Sequence, residues 1–384
     1  MPLHILYVAY PLLTVSNESA GGAEQVLWTL EWEMAQRGME TVVAASAGSQ
    51  VSGELFSTGG PCTRTDDYER RLAEHESRIV EFVRQSEEEG KPFDLIHDMS
   101  GSFWRRTAGT SVPVLATLHL PRSFYAEQSF QDIPANVKFN CVSAAQSQSF
   151  ADMDAMLGVV PNGIPVESFA YETLGPANES ATAHDPAKRA GLLWLGRICE
   201  EKAPHLALEI AGRAGLPITL AGQVYPFSYH QQYFAREVAP RLRQVPNATF
   251  ISAPSFAHKR QLLRQAKALL ITSLAEETSS LVAMEAAASG TPVVAFRRGA
   301  LPEVVRDHVT GYVVDDAAGA VDACRRLGAI ASAACMAYAR KNFSSARMAE
   351  DYAQLYARIF QSATERPAGA TGAARETEYS HQDL

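Results

Sequence analysis

Cysteine is scarce in this 384-residue chain: there are five, at 62, 141, 199, 324 and 335. No two have the CxxC spacing of a zinc ribbon and the number is odd, so a disulfide framework is excluded as the organising device and reduced thiols are expected. Long apolar runs are missing too. The N-terminal MPLHILYVAYPLL has no basic flank and is too short to span a bilayer, so it reads as a buried strand rather than a leader or an anchor. Without a leader, the sequons at Asn17, Asn178 and Asn247 carry no weight, and a cytoplasmic location is the expectation. Positive charge is in the minority, with 34 Lys and Arg against 43 Asp and Glu, a net of −9. Such a surface repels nucleic-acid backbones and gives no support for membrane docking, though it leaves room for a local basic pocket. Also missing are GxGxxG, HExxH, GxSxG and GxxxxGK[ST]. Asp66-Asp67 is an acidic pair without supporting ligands, so no metal site is expected.

What is present is 46% apolar residues in an alternating pattern of short strand-like runs and helical stretches. LHILYVAY is continuous, as a parallel strand covered on both faces should be. AEQVLWTLEWEMAQRG follows with helical spacing and Gly38 at its end. TVVAAS, FDLIHDM, VPVLATLHL and FNCVSA read as further strands, with a charged helix over 69–90. A turn-rich, polar stretch at 161–190 marks the junction. GLLWLG, ITLAG, TFISAP, ALLITS, PVVAF and GYVVDD then form a second βα series. The fold class is therefore α/β, with two doubly wound halves. ARMAEDYAQLYARIF is an amphipathic last helix, and residues 363–384 are small, polar and expected to be disordered.

Chemistry concentrates at four places. LLITSLAEETSSLVAMEAAASG puts Glu276 and Glu277 in a loop leaving a strand end. A helix starts near Ser280, and the amides near Leu281 and Val282 offer an anion site suited to a diphosphate. Glu277 and Glu285 stand eight apart, able to accept hydrogen bonds from two polyol groups of one ligand. GRICEEK places Arg197 and Lys202 after Gly196, two cations suited to phosphate oxygens. Gly21 and Gly22 in SNESAGGAEQV allow close backbone approach to a ligand. His119 lies just past a strand end, with His97 and Asp98 as weaker candidates of the same kind. Each has a plain alternative: a solvated helix start, surface basics, a tight turn, a core histidine.

In this order the landmarks GGAEQV, His119, VVPNGIPVESF, GRICEEK, Glu277 to Glu285, SGTPVVAF, GALPEV and TGYVV resemble the retaining glycosyltransferases of family 4, with the GT-B fold. The resemblance implies two Rossmann-like domains facing a central cleft: residues 1–165 for the acceptor, 166–345 for the donor, and a helix near 346–362 crossing back to the first. It implies a nucleoside diphosphate sugar as co-substrate, no metal, and an acceptor that is a sugar, lipid-linked glycan or small molecule. Glu285 would bind ribose hydroxyls and Glu277 the transferred sugar. Arg197 and Lys202, with the amides near Leu281 and Val282 and the neighbouring Ser280 and Gly196, would hold the diphosphate. Gly21 and Gly22 would approach it from the other side, and His119 would face the reaction centre. The chain departs from the family at Thr278-Ser279-Ser280, where a Gly- or Pro-led segment is usual, and at ISAPSF, which lacks a glycine near the base pocket. A non-catalytic partner subunit and a sugar-nucleotide hydrolase or epimerase are the alternatives. A nicotinamide oxidoreductase is a distant third. MSGSFWRRTA and PRSFYAEQSFQDI, with Trp104, Arg105 and Arg106, are candidate acceptor walls beside ordinary loop packing.

Overall fold

The computed structural model describes residues 2–62, 67–170, 189–225 and 227–364. The tail beyond 364, Asp66, Asn178 and most of the polar junction lie outside the described residues. Two all-parallel sheets carry the chain. The first runs β1 His4–Val8, β2 Glu40–Ala45, β3 Glu54–Ser57, β4 Leu95–Asp98, β5 Val114–Leu118, β6 Val137–Cys141 and β7 Met156–Val159, in the order β3-β2-β1-β4-β5-β6-β7. The second runs β8 Leu192–Leu195, β9 Ile218–Gly222, β10 Ala248–Ser252, β11 Ala268–Ile271, β12 Val293–Phe296 and β13 Gly311–Val314, in the order β10-β9-β8-β11-β12-β13. Each order reverses direction once, between β1 and β4 and between β8 and β11. Crevices for ligands open outside the carboxyl ends of strands at such reversals.

The apolar runs explain the burial. β1, β4, β5 and β8 are almost wholly buried because helices cover both faces. β3 and β7, which the sequence reading missed, are four-residue edge strands whose residues are mostly half-exposed. The Gly22–Gln36 helix ends where Gly38 takes φ +82°, a left-handed conformation that glycine adopts without strain.

The last helix, Ser345–Thr364, is slightly longer than its sequence pattern suggested. It leaves the second half at the Ile164–Ser344 bridge and packs on the first sheet. Met348, Tyr352, Leu355, Tyr356 and Ile359 join Ile5, Tyr7, Leu27, Leu30 and Met34 in one buried cluster. A polar chain runs through it: Tyr356 Oη lies 2.8 Å from His97 Nδ1, and His97 Nε2 lies 2.7 Å from Thr117 Oγ1. Asn140 Oδ1 accepts from the same Thr117 hydroxyl. His97 is thus a satisfied core histidine, its basicity lowered to about 3 by burial and secondarily by His119. Asp98 is likewise structural, accepting from the Ser100 and Trp104 amides.

Tyr356→Phe removes the partner of a buried imidazole nitrogen and should cost about 1–3 kcal/mol in urea unfolding at neutral pH. A change within about 0.5 kcal/mol, the size of an ordinary surface substitution, would contradict this reading.

Candidate functional site

Site residues come from the loops at the two reversals. On the second sheet, β8 ends and Gly196 follows, packed against the Trp194 ring, where an added Cβ would meet the indole at 3.3 Å. Gly222 at the end of β9 is stricter, since a Cβ there would collide with the Gly196 carbonyl. The GRICEEK loop is pinned to the end of β11. Thr272 Oγ1 donates to the carbonyls of Ala203 (2.8 Å) and Lys202 (3.2 Å), and Ser273 Oγ and the Leu274 amide both donate to the Glu201 carbonyl. Ala203 sits at φ +46°, a left-handed conformation rare for alanine, and these bonds hold it there. The consequence is the placement of Lys202.

Lys202 Nζ lies 2.5 and 2.7 Å from the two Glu277 carboxylate oxygens. Glu277 is fixed from behind: the Ala300 amide donates to its carbonyl at 2.6 Å, and Gly299, at φ +51°, leaves no room for a Cβ beside the Glu277 backbone. Glu276 instead accepts from the Gly299 amide, so only one of the two adjacent glutamates points its carboxylate at Lys202. Arg197 stacks over the Tyr225 ring at 5.8 Å and reaches Glu201 at 3.8 Å.

Ser280 is the N-cap of the Leu281–Ala288 helix, its Oγ accepting from the Ala283 amide at 3.4 Å. Its hydroxyl therefore serves the helix, and the Leu281 and Val282 amides have no acceptor among the described residues. Glu285 is 2% exposed. Its Oε1 accepts from Lys259 Nζ at 2.6 Å, while its Oε2 is buried without a partner. Burial raises its pKa above the ordinary carboxylate value, against the pull of Lys259.

The first sheet faces this arrangement. Gly22 opens the Gly22–Gln36 helix, and a Cβ built on it would lie 3.6 Å from the Leu281 side chain. Two helix N-termini thus meet across the cleft, each with unpaired amides and the positive end of a helix dipole. A side chain at Gly21 would meet the end of the Glu24 side chain, which would have to move aside. His119 is half-buried, its Nε2 has no partner, and burial lowers its basicity to about 4. The two halves are joined at this point by Thr278 Oγ1, which donates to the His119 carbonyl at 2.7 Å. They meet again where Glu303 accepts from the Ala144 and Ala145 amides at 2.9 and 2.7 Å. Thr278, the departure from the family pattern, is therefore a cross-cleft hydrogen-bond donor, and the neighbouring Ser279 Oγ is buried without a partner.

The structure pairs Lys202 with Glu277 and sets Gly22 against Leu281, with His119 tied in through its carbonyl; Arg197, from the same loop as Lys202, turns to Tyr225 and Glu201. Trp104 does not behave as a candidate acceptor wall: it is buried against Phe130 and Phe139, while Arg105 and Arg106 stay exposed. Two features were missed. Glu24, in the first turn of its helix, is 5% exposed, and burial raises its pKa to about 7, offset in part by a backbone hydrogen bond. GGAEQV shows a first-turn acid, which reads as solvated unless the facing sheet is known. Cys199, Glu201 and His230 converge to within 4.8 Å, a group able to hold a metal ion that no local spacing announced.

Comparison with known proteins is consistent with this geometry. Residues 189–329 match the family described as glycosyl transferases group 1. Over that stretch the chain is similar to the group 1 glycosyltransferases. A D-inositol 3-phosphate glycosyltransferase of Mycolicibacterium gilvum is 27% identical over 343 residues, covering 79% of this chain and 76% of the relative. Among solved structures, sucrose-phosphate synthase from Thermosynechococcus elongatus superposes with a TM-score of 0.74 at 20% identity, over 94% of this chain and all of the other. Anabaena HepE in complex with UDP-glucose gives 0.70 at 16% identity, over 93% of this chain and all of the other. These structural likenesses show the GT-B fold for this chain. Among its described residues, no helix is long and apolar enough to cross a membrane.

Glu24 gives the site a pH signature. Its folded pKa of about 7 lies above the ordinary 4.5, so the folded state keeps a proton that the unfolded chain releases. Stability from this group therefore falls as pH rises from 4.5 through 7. The stability difference between Glu24→Gln and the parent should grow by about 2–3 kcal/mol from pH 5 to pH 8 in chemical denaturation. A pH-independent difference would place Glu24 in solvent.

Proposed function

We propose that this glycosyltransferase moves a sugar from a nucleoside diphosphate sugar to an acceptor hydroxyl with retention, as a family 4 enzyme, without a catalytic metal. The observation that carries the reading is the meeting of the Gly22 and Leu281 helix N-termini, with Lys202 held to Glu277 in the loop that leads into the second helix. Two dipole ends and two cations form a pocket for a diphosphate. The solved HepE complex with UDP-glucose supports a donor of this class.

In this reading the diphosphate lies between the two helix starts. Lys202 and Arg197 stabilise the charge that builds on it as the glycosidic bond breaks, the role other enzymes give to an oxyanion hole. The departing phosphate oxygen takes the proton of the incoming hydroxyl on the same face, so the new bond keeps the configuration of the old one. Glu277, held by Lys202, accepts from hydroxyls of the transferred sugar. Glu285 Oε2, the buried oxygen without a partner, accepts from the nucleotide ribose. Gly21, Gly196 and Ser280 shape the backbone around the phosphates. His119 faces the sugar as a neutral imidazole. The donor half corresponds to residues 166–345 and the acceptor half to 1–165 with the last helix. The acceptor docks on the first half, and phosphorylated polyols, the class named for the curated relatives, are the first to assay.

Arg197→Ala and Lys202→Ala should each lower kcat by about 30- to 1000-fold, roughly 2–4 kcal/mol of barrier. Near-parental turnover in both would overturn the assignment. Glu285→Ala should weaken donor binding, and calorimetry on the folded variant showing unchanged donor affinity would remove Glu285 from the ribose.

A further inference from the structure

We infer that Cys199, Glu201 and His230 form a binding site for a zinc-class divalent ion, beside the loop that carries Arg197 and Lys202. One ligand atom from each side chain lies within 4.8 Å of the other two. The Cys199 and His230 side chains are both fully buried. His230 is the telling residue, because neither of its ring nitrogens has a partner although both are buried. Among the described residues, the other fully buried histidines, His75 and His97, have partners on both nitrogens: His75 from Thr58 and the Ala9 carbonyl, His97 from Tyr356 and Thr117. An imidazole left with a bare donor and a bare acceptor, pointed at a thiol and a carboxylate, is arranged as a ligand rather than as core filling.

The donor set selects the ion. Sulfur, imidazole nitrogen and one carboxylate oxygen suit zinc and its borderline neighbours, whereas magnesium and calcium require oxygen-rich shells. At metal–ligand distances of about 2.0–2.3 Å, tetrahedral donors stand about 3.3–3.6 Å apart, so binding contracts the group by about 1 Å. Three protein ligands leave a fourth position for water or a bound group. Binding releases the thiol proton to solvent as the sulfur–metal bond forms.

The surroundings favour retention. The Tyr225, Phe227 and Tyr229 rings pack around His230, at 5.8, 5.5 and 4.2 Å between centroids, and shield it from water. Among the described residues, the cation facing the group is Arg197, 3.8 Å from Glu201. The thiolate and the carboxylate together supply two negative charges against it and the ion. An ion there ties the GRICEEK loop to the Ser228–Tyr233 helix and draws Glu201 away from Arg197, leaving that guanidinium to the cleft. This last consequence rests on the donor reading above, but the binding site itself does not.

The test uses the full chain, stripped with a chelator, dialysed and titrated with Co²⁺ in the absence of nucleotide. The expected result is one equivalent bound, with thiolate-to-cobalt charge-transfer absorption and the intense ligand-field bands of a four-coordinate ion, both discharged by Zn²⁺. Cys199→Ser should abolish the charge-transfer band. His230→Gln and Glu201→Gln, the latter at a part-exposed position that tolerates substitution, should each weaken binding at least tenfold. No bound cobalt would overturn the inference. So would an unchanged spectrum in Cys199→Ser, or equal affinity in all three variants, since the ion would then sit elsewhere.

Discussion

Two helices point their N-termini at each other across a cleft, and much of the site is arranged around that apposition. Each helix start presents amides that its own backbone leaves unpaired, and neither presents an acid that would neutralise the other. Glu24 is the nearest candidate for that role, and burial keeps its proton on to about pH 7. The cleft is therefore electropositive at one spot on a chain whose net charge is −9. An anion carried on a neutral sugar and nucleoside is what such a spot holds best. Parallel sheets make the apposition possible, because every strand delivers its loop to the same edge and each sheet reverses its order once.

Holding two helix starts in register across separate sheets takes positional control, which is supplied locally. A left-handed alanine, two hydroxyls of β11's exit and a glycine that admits no Cβ fix the backbone of Lys202 and Glu277 before any ligand arrives. The Lys202–Glu277 pair then keeps two charged groups ordered in a half-buried place, which reduces the reorganisation left for binding. Between the halves, Thr278 and Glu303 make polar contacts, while the last helix buries tyrosines deep in the first sheet. The first kind of contact exchanges readily with water, and the second does not.

Most of the frame was legible in the sequence because parallel strands covered on both faces are written as unbroken apolar runs. Five strands of the second half were visible that way, as were the five inner strands of the first; β10, mostly half-exposed at the sheet edge, was read from the shorter run TFIS. β3 and β7 were not, since four mostly half-exposed residues at a sheet edge carry neither an apolar run nor a clean alternation. Spacing also exposed Glu277, Arg197 and Lys202 individually, because each sits at a strand exit or before a helix start, and Glu285 through its eight-residue distance from Glu277. Their pairings were hidden. Lys202 meets Glu277 across 75 positions and Glu285 meets Lys259 across 26, distances that only the sheet order closes. Ser280 shows the reverse case: next to the site in sequence, it spends its hydroxyl on capping. Trp104 misled for a related reason, since an aromatic in a strand-exit loop reads as surface until Phe130 and Phe139 are seen to enclose it. His230 gave no signal at all, as a ligand 29 residues beyond its partner Glu201 follows no local pattern.

The most direct measurement is a thermal-unfolding panel of the unmodified chain with UDP, GDP, ADP, dTDP and CMP at millimolar concentration. A ligand at a hundred times its dissociation constant adds about 2.7 kcal/mol, enough to raise the transition by several degrees. The expected result is a clear shift with one nucleoside diphosphate and none with the monophosphate, as a pocket built from two helix N-termini and two cations requires. No shift with any nucleotide would mean that the apposed helix starts hold no diphosphate, and the donor site proposed for this glycosyltransferase would be wrong.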